Sequence, residues 1–498
     1  MAPPFSGKIT VASRIVDYLS SGLYNSPAAC LKELVNNSYD ADATRVDIFV
    51  KPDADRIVVA DDGIGMSKAE FVEHFERVSE SHKRDGGETT PSGRPKVGKI
   101  GIGFIAANEL CDVMEIVSTK KGSTELLRVE INFDEMRLEP AARKREGDAY
   151  AKGDYHGVVE RAPKDDHYTQ VLLKKVRPLS KGILAGANRR KHVAGGLSIY
   201  GLNPESVRSI IGEATDWADL DEYSQAMLRV GLNVPVQYLP DWYPKEHAGV
   251  LAPLEGEVAA LSFSVFCDGG DLRKPVVLDT SDRNLLFPIS IDGEHVSAHG
   301  YIYAKHRVLR PQWLNGVLIR IRHAAVGDYD SSFLGFSATE GTLFQRWTSA
   351  EVWADDRLEE ALNIDRRTLR ITHPAYVELQ NAFHERLSEF LSEARKTLYT
   401  APAAGRRREE ARQEVERFAE VIERTSTALP ASVRRELQTA VKRRAEPERI
   451  STAKDVRAVL RKYSVSDMYD TVLEVARKTL DPADYERFAR ALAERLLG

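Results

Sequence analysis

The stretch "LKELVNNSYDADA", residues 31–43, decides the fold that the sequence predicts. Its leucines and its valine recur at helical spacing, which predicts a helix with one side packed on a core. Glu33, Asn37 and Asp40 lie four and then three positions apart, so they share another face of that helix. A solvated face is the ordinary explanation of such a polar stripe. The rest of the chain decides whether this stripe instead lines a ligand site.

Length and composition limit the class of protein. A chain of 498 residues predicts about three or four domains. The 42% hydrophobic and 29% charged residues are ordinary for a globular protein, and a net charge of −5 neither favours nor excludes nucleic acid. Cys30, Cys111 and Cys267 form no CxxC pair and are odd in number, which favours a reducing compartment. With no membrane-length apolar run and no signal-peptide core, we expect a cytoplasmic protein without membrane contacts.

The pattern along the chain predicts an α/β protein with a helical end. Helical and β-rich runs alternate in the first part, and strand-like runs return after residue 251. The last part is charged, favours helix and carries more basic than acidic residues. The predicted regions are an α/β domain (1–180), a connecting region (181–250), a second α/β domain (251–400) and a charged helical module (401–498).

Local signals within the first region are specific. Two β-rich runs, 45–50 and 56–61, are joined by a turn and predict a hairpin. Ser67 is a predicted N-cap for the helix that follows. The polar stretch 79–97 is rich in glycine, serine and threonine, which predicts a mobile loop that serves as a lid.

The segment "ADDGIGM", residues 60–66, ends a predicted strand with a carboxylate and two glycines. Gly63 and Gly65 let the backbone turn sharply beside a flat ligand. The Asp61 carboxylate can accept a hydrogen bond from the exocyclic amine of adenine, whereas guanine presents a carbonyl there. An ordinary turn aspartate is the alternative if this segment is considered alone.

The segment "GKIGIGF", residues 98–104, places three glycines before a predicted helix. Backbone N–H groups at a helix start can hold phosphate oxygens. The segment does not fit a Walker loop, because Lys99 is not followed by serine or threonine. It does not fit a dinucleotide fingerprint either, because a polar loop and not a strand precedes it.

Taken together, Glu-x-x-x-Asn-x-x-Asp, Asp-x-Gly-x-Gly and Gly-x-x-Gly-x-Gly resemble the GHKL ATPase superfamily, over roughly residues 10–180. Its members include heat-shock chaperones, type II topoisomerase subunits, MutL and MORC proteins and histidine kinases. The resemblance implies a Bergerat α/β sandwich, a mixed sheet covered by helices. It is closest in arrangement to the chaperone-like ATPases, whose second domain is a transducer-like α/β domain.

The resemblance also implies residue roles. Glu33 would activate the attacking water, and Asn37 would coordinate Mg²⁺ beside ATP. Asp61 would bind the adenine amine, and Lys83 and Lys99 could touch phosphate, although solvated lid lysines are the alternative. The implied cofactor-binding residues are Asn37, Asp40, Asp61, Gly63, Gly65, Met66, Lys83, Gly98, Lys99, Ile100, Gly101, Ile102, Gly103, Phe104 and Thr169.

A second resemblance lies in the second α/β domain. The segment "EEALNIDRRTL", residues 359–369, is similar to the "LNI-x-R" segment of the chaperones, where an arginine reaches the γ-phosphate. This implies that Arg366 is catalytic; an arginine pointing to solvent is the alternative. Arg320 and Arg322, in "NGVLIRIRHAAVGD", are predicted to alternate outward from a core strand pair with a structural role.

These features predict a Mg²⁺-dependent ATPase. Glu33 favours hydrolysis over histidine-kinase activity, and ATP would close the lid and join two N-terminal domains in a homodimer. The cycle would act as a chaperone-like switch on a protein client or effector. One alternative is an ATP-gated nucleic-acid clamp of the MORC or MutL type, bound through the basic C-terminal helices. A nucleotide sensor without hydrolysis is the other alternative.

Overall fold

A computed structural model gives the structure of the chain. It describes residues 26–51, 56–76, 89–98, 106–134, 155–186, 196–278, 283–337, 344–363, 365–400 and 466–497, with isolated residues between 405 and 439. The chain divides into two compact units, residues 1–390 and 391–498, which are described separately.

The first unit contains most of the described helices. They are α1 (Pro27–Asp40), α2 (Lys68–Glu76), α3 (Ala107–Leu110), α4 (Pro178–Leu184), α5 (Pro204–Glu213), α6 (Glu222–Asn233), α7 (Ala248–Ala260) and α8 (Pro374–Ala394), which ends just beyond the boundary. The predicted N-cap of α2 is confirmed, because Ser67 and Glu70 form a reciprocal pair of hydrogen bonds there.

A large mixed sheet forms the centre of this unit. Its described strands are β1 (Arg45–Lys51), β2 (Arg56–Asp61), β3 (Cys111–Thr119), β4 (Glu125–Asn132), β5 (Tyr155–Arg161), β6 (Tyr168–Val176), β7 (Ser264–Cys267) and β8 (Gly270–Leu272). They lie in the order β5-β4-β3-β6-β2-β1-β7-β8. β1 and β2 form the predicted hairpin, with Val46 opposite Asp61. β1 pairs with β7 in parallel, so the sheet is mixed as predicted.

The membership of β7 corrects the predicted domain boundaries. The strand-like run that contains Ser264–Cys267 was expected in the second α/β domain, but it extends the first sheet. Apolar residues of the predicted connecting region, such as Met227 on α6 and Trp242, are fully buried in the same core as α1. Helix α6 packs on α1. The segment after residue 180 therefore completes the first domain, because it supplies an edge of its sheet and part of its core.

A second, smaller sheet follows. Its strands are β9 (Asn284–Asp292), β10 (Ser297–Lys305), β11 (Gly316–Ile321), β12 (Ala324–Ala325) and β13 (Thr348–Ala354), in the order β12-β11-β13-β10-β9. β11 and β12 form the predicted strand pair, and β11 runs parallel to β13. The predicted α/β architecture with a second sheet is confirmed.

The two arginines of β11 and its turn are buried, and the prediction that they alternate outward is wrong. Arg320 is fully buried and pairs with Glu351 of β13 at 2.8 Å. Its guanidinium also donates to the Leu232 carbonyl of α6 at 2.9 Å. Since α6 covers that face of the sheet, the alternating pattern does not separate a wet face from a dry one. The structural role predicted for Arg320 agrees with these contacts.

The described part of the second unit is helical, as predicted. It includes α9 (Ser466–Thr479) and α10 (Pro482–Leu497), which pack together around Leu473, Ala476, Tyr485 and Ala489. Asp481 caps α10 by accepting from the Asp484 amide at 2.9 Å. Among the described residues of both units, no helix has the length and apolar character that crossing a bilayer requires.

Candidate nucleotide site

Helix α1 presents its polar residues to one side of the core. Ser26 accepts from the Ala29 amide at 3.3 Å, and Pro27 occupies the first turn, so the start of the helix is well defined. The leucines and valine predicted to face the core are buried. Within α1, all of which the structure describes, Asn37 alone is exposed. Glu33, one turn earlier, keeps 13% of its side chain accessible.

Asp61 lies at the end of β2, beside the C-terminal half of α1. Ser38 donates to its Oδ2 at 2.8 Å, and the Gly63 amide donates to its Oδ1 at 3.0 Å. Burial raises the pKa of Asp61 to about 6, against these hydrogen bonds and one from the Thr169 amide, which lower it. The carboxylate has further lone pairs, so it can still accept a hydrogen bond from a ligand amine.

The glycine turn after Asp61 is held against β3. Gly65 has φ +71°, and a Cβ there would lie 1.8 Å from the Thr119 carbonyl oxygen, so only glycine fits. The Met66 amide donates to Ser118 Oγ at 2.9 Å. Ser118 Oγ in turn lies 2.9 Å from Thr169 Oγ1 on β6. The structure thereby brings Asp61, the glycine turn and Thr169 to one place.

Asp40 fixes the segment that begins the second glycine motif. Its two carboxylate oxygens accept from the Val97 amide at 2.7 Å and from the Gly98 amide at 2.9 Å. Asp40 is buried. These two hydrogen bonds come from backbone amides, and they place Gly98 next to the end of α1.

The C-terminal part of the predicted lid is anchored, which differs from the prediction of a mobile loop over 79–97. Thr89 bridges to Pro95, and Arg94 is buried with its guanidinium over the Tyr39 ring. Arg94 also donates to the Leu261 carbonyl at 3.2 Å. These contacts anchor the turn, because both terminal nitrogens of the buried guanidinium bind groups from other segments. Residues 79–88 lie outside the described residues.

Arg366 comes from the loop that follows the 3₁₀ turn Asp356–Ala361. Its guanidinium lies 3.4 Å from Glu359, and its backbone has φ +50°. Burial, opposed by Glu33 and reinforced by the charges of Arg366 and Arg367, lowers the pKa of Lys32 on α1. The arginine loop is thus within electrostatic range of the helix that carries Glu33.

Some predicted residues fall outside the described part of the chain. They are Lys83, Lys99, Ile100, Gly101, Ile102, Gly103 and Phe104. Three others that shape this neighbourhood did not emerge from the sequence: Ser38, Arg94 and Ser118. Ser38 sits inside the helical motif, where a small polar residue facing the Asp61 strand was the available signal. The other two act through contacts that no local pattern shows.

The residues present suit a nucleotide with a magnesium ion. Among the residues that the structure describes, no three histidine, cysteine, aspartate or glutamate side chains converge on a metal position. Mg²⁺ commonly takes one or two protein oxygens and completes its shell with phosphates and water. The exposed carboxamide of Asn37 offers one such oxygen at the accessible side of α1.

Part of this chain is similar to known proteins. Residues 24–169 match the family described as "Histidine kinase-, DNA gyrase B-, and HSP90-like ATPase". "Putative type II restriction enzyme HgiDII" of Herpetosiphon aurantiacus is 36% identical over 115 residues, covering 23% of this chain and 18% of that protein. "Chaperone protein HtpG" of Bacillus licheniformis is 27% identical over 159 residues (27% and 25%), and that of Bacillus subtilis is 25% identical over 185 residues (32% and 28%).

The chain spans less than a third of the length of these relatives. The matched range holds all three motifs and supports ATP binding. Over residues 24–169 the chain therefore resembles the GHKL ATPase superfamily, and among its members the HSP90-like chaperones.

Proposed function

We propose that this protein is a Mg²⁺-dependent ATPase. The observation that carries the proposal is the arrangement on α1: Glu33 and Asn37 remain accessible, Ser38 of the same helix contacts Asp61, and Arg366 of the loop after the second sheet lies within electrostatic range. Asp61 would accept the adenine amine, and Gly98, held by Asp40, would begin the phosphate-binding segment. When bound, Mg²⁺ would neutralise phosphate charge and be held by Asn37.

Glu33 would act as the general base. It lies one turn before Asn37 on the same face of α1, so its carboxylate would be near the terminal phosphate of a nucleotide held at Asn37. A positioned base contributes about 10²–10⁴-fold to such a reaction. The Lys32 ammonium lies 3.7 Å from the Glu33 carboxylate.

Arg366 would stabilise the charge of the transferring phosphoryl group. In this structure it pairs with Glu359, so it would have to shift toward the nucleotide during the cycle. A catalytic group that must move makes turnover depend on a conformational step.

The test of this proposal compares Glu33→Gln with the wild-type chain. The variant should bind ATP with Mg²⁺ as tightly as wild type in a calorimeter and lose at least about a hundredfold in phosphate release. Glu73→Gln on α2 is a control for removing a carboxylate elsewhere in the domain. Equal phosphate release by Glu33→Gln and wild type would remove Glu33 as the base.

The output of the cycle is proposed to be a change of shape. ATP would close the lid and join the N-terminal domains of two copies, and the resulting switch would act on a protein client or effector. The resemblance to HtpG supports this use, as "Chaperone protein" is the description of those relatives. A cytoplasmic location is proposed because the three cysteines, all of them described and buried, form no disulfide with one another. Cross-linking with and without a non-hydrolysable ATP analogue would test the ATP-dependent dimer.

An ATP-gated nucleic-acid clamp is the second candidate. HgiDII, which shares 36% identity over 115 residues, is described as a putative restriction enzyme, and residues 406–498 carry more basic than acidic residues. Because the match covers 18% of HgiDII, no nuclease activity is carried over. Phosphate contacts would make DNA affinity fall steeply with salt.

Titrating DNA into the ATPase assay at two salt concentrations separates the candidates. A clamp predicts stimulation that disappears at high salt, whereas a switch for a protein client predicts no response. A third outcome, Mg²⁺-dependent ATP binding without phosphate release under any condition, would make the protein a nucleotide sensor.

A further inference from the structure

Arg322 joins the two halves of the proposed site. It lies in the two-residue turn between β11 and β12, where Arg322 and His323 have φ +51° and +64°. This turn type matches the twist of a hairpin and fixes the direction of the side chain. Only 3% of the Arg322 side chain is exposed, although it does not face the apolar core of the second sheet.

The guanidinium of Arg322 contacts both the turn that follows the second sheet and the nucleotide domain. It lies 2.6 Å from Asp356 and 3.2 Å from Glu359, in the turn that precedes the Arg366 loop. Its remaining nitrogen donates to the backbone carbonyl of Lys96. A planar guanidinium with donors on three sides can hold such partners in one geometry, which a lysine ammonium cannot.

Each of these partners leads to a residue with a proposed role. Lys96 directly precedes the Val97 and Gly98 amides that Asp40 binds, so the Lys96 carbonyl moves with the start of the glycine motif. Glu359 Oε2 forms an ion pair with Arg322 at 3.2 Å, and Glu359 Oε1 accepts a hydrogen bond from Arg366 at 3.4 Å. A single acid therefore holds both arginines, and a shift of one changes the position available to the other.

We infer that Arg322 is a positioning residue that ties the segment ahead of Gly98 to the placement of Arg366. When nucleotide phosphates shift Gly98, the Lys96 carbonyl changes its hold on Arg322. Arg322 then draws Glu359 with it and frees Arg366 to turn toward the phosphates. This inference rests on the proposed ATPase function, and it adds a residue that does not touch the nucleotide.

The test combines kinetics with hydrogen exchange on the full chain. Arg322→Gln should lower kcat about tenfold while the Kd for ATP changes less than about twofold, because only the alignment of a catalytic group is lost. In a double-mutant cycle with Arg366→Gln, the second substitution should add almost nothing, since both would act through Arg366. Arg322→Lys should restore part of the rate.

Hydrogen exchange supplies the readout that does not depend on hydrolysis. In the wild-type chain, a non-hydrolysable ATP analogue should change amide exchange in residues 359–370; in Arg322→Gln the analogue should bind without that change. Arg357→Gln is the matched control. Arg357 lies in the Asp356–Ala361 turn that Arg322 contacts, but it binds Asp355 and the carbonyls of Gly293 and Glu294.

The outcomes separate this inference from the proposed function. If the wild-type chain does not bind the analogue, both fail. If it binds and the exchange response survives in Arg322→Gln, or if the two substitutions are additive in kcat, the inference fails and the ATPase proposal stands. If Arg322→Gln lowers both the affinity for ATP and the melting temperature, the inference is overturned as well, since that result marks a purely structural residue.

Discussion

Glu351 in the second sheet and Asp61 at the end of β2 are both buried carboxylates, but their partners differ. Glu351 accepts from Arg320 at 2.8 Å and from the hydroxyls of Tyr238 and Tyr329, each at 2.6 Å. Burial alone would raise the pKa of Glu351, but the Arg320 guanidinium and these hydrogen bonds hold it below its ordinary value. Its cation and its donors are all supplied by the protein, so nothing remains for a ligand to satisfy.

Asp61 has donors but, among its described partners, no cation. Ser38 and the amides of Gly63 and Thr169 lower the pKa of Asp61, yet burial raises it to about 6. A carboxylic acid whose pKa is raised toward neutral pH by burial, and which still has lone pairs to offer a ligand, is typical of a functional site. The comparison shows that the partners of a buried charge, more than its burial, separate a structural acid from a ligand-binding one.

Removing the cation from Glu351 is expected to have the largest effect. Arg320→Leu leaves a fully buried carboxylate without its counter-charge and should lower the free energy of unfolding by about 3–5 kcal/mol. Urea unfolding followed by circular dichroism measures it. Arg128→Leu is the control, because Arg128 is exposed and its partner Glu115 keeps Lys174 at 2.7 Å, so its loss should cost about 1 kcal/mol or less. Equal stability of the two variants would contradict the comparison.

Replacing the acid Asp61 should change the affinity for ATP and leave the free energy of unfolding nearly unchanged. Asp61→Asn presents an amide in place of one acceptor oxygen, so we expect ATP affinity to fall about a hundredfold with little change in unfolding. Titration calorimetry with ATP and Mg²⁺ provides the measurement. Asp62→Asn, whose partners are Thr44 and the Arg45 amide, should keep wild-type affinity. Wild-type ATP affinity in Asp61→Asn would show that this acid is not the adenine partner.

The pH dependence of the two acids should have opposite signs. The pKa of Asp61 is raised from 3.8 to about 6, so its ionisation destabilises the folded state above pH 6, and that cost disappears as the pH falls toward 4. The pKa of Glu351 is lowered, so its contribution is present above its unfolded value near 4.5 and is lost as the pH falls through the folded value.

ATP binding reports on Asp61 directly. Since an ionised carboxylate accepts a stronger hydrogen bond from the adenine amine than a neutral acid does, ATP affinity should fall as the pH drops below about 6 and be flat above it. Calorimetry from pH 5 to 8 tests this, and Asp61→Asn should abolish the dependence. A wild-type affinity that does not change between pH 5 and 6 would be incompatible with this role.

The smallest expected effect comes from Ser38. Ser38→Ala removes the donor to Asp61 Oδ2, so the pKa of Asp61 should rise further and the midpoint of the affinity profile should move to higher pH. ATP affinity at pH 7 should fall about three- to tenfold, in line with the loss of one hydrogen bond. The same titrations measure it, with Ser67→Ala as a serine control outside the Asp61 contacts. If the midpoint does not move, Ser38 does not influence the pKa of Asp61.

Much of the first domain was predictable, because its signals are local. The spacing in α1 predicted which residues are buried, the turn between 50 and 56 predicted the hairpin, and Ser67 predicted the start of α2. The three motifs predicted a nucleotide site, and the family match over residues 24–169 agrees with them. These patterns depend on neighbours within a turn or a strand, so the printed sequence contains them.

Other features depend on contacts between distant segments. β7 joins β1 far along the chain, which moves part of the predicted second domain into the first sheet. Arg320 alternates along its strand as a surface residue would, but α6 covers it. A strand period defines two faces without saying which one another element will cover.

Local sequence patterns already contain the chemistry that could be present: an acid, an amide and glycine turns at spacings that suit a nucleotide. Contacts between distant segments set which charges are satisfied internally and which remain for a ligand. They pair Arg320 with Glu351, leave Asp61 without a described cation and connect Lys96 to Arg366 through Arg322 and Glu359. The reason is physical: the pKa and the availability of a buried group depend on neighbours that folding brings from elsewhere in the chain.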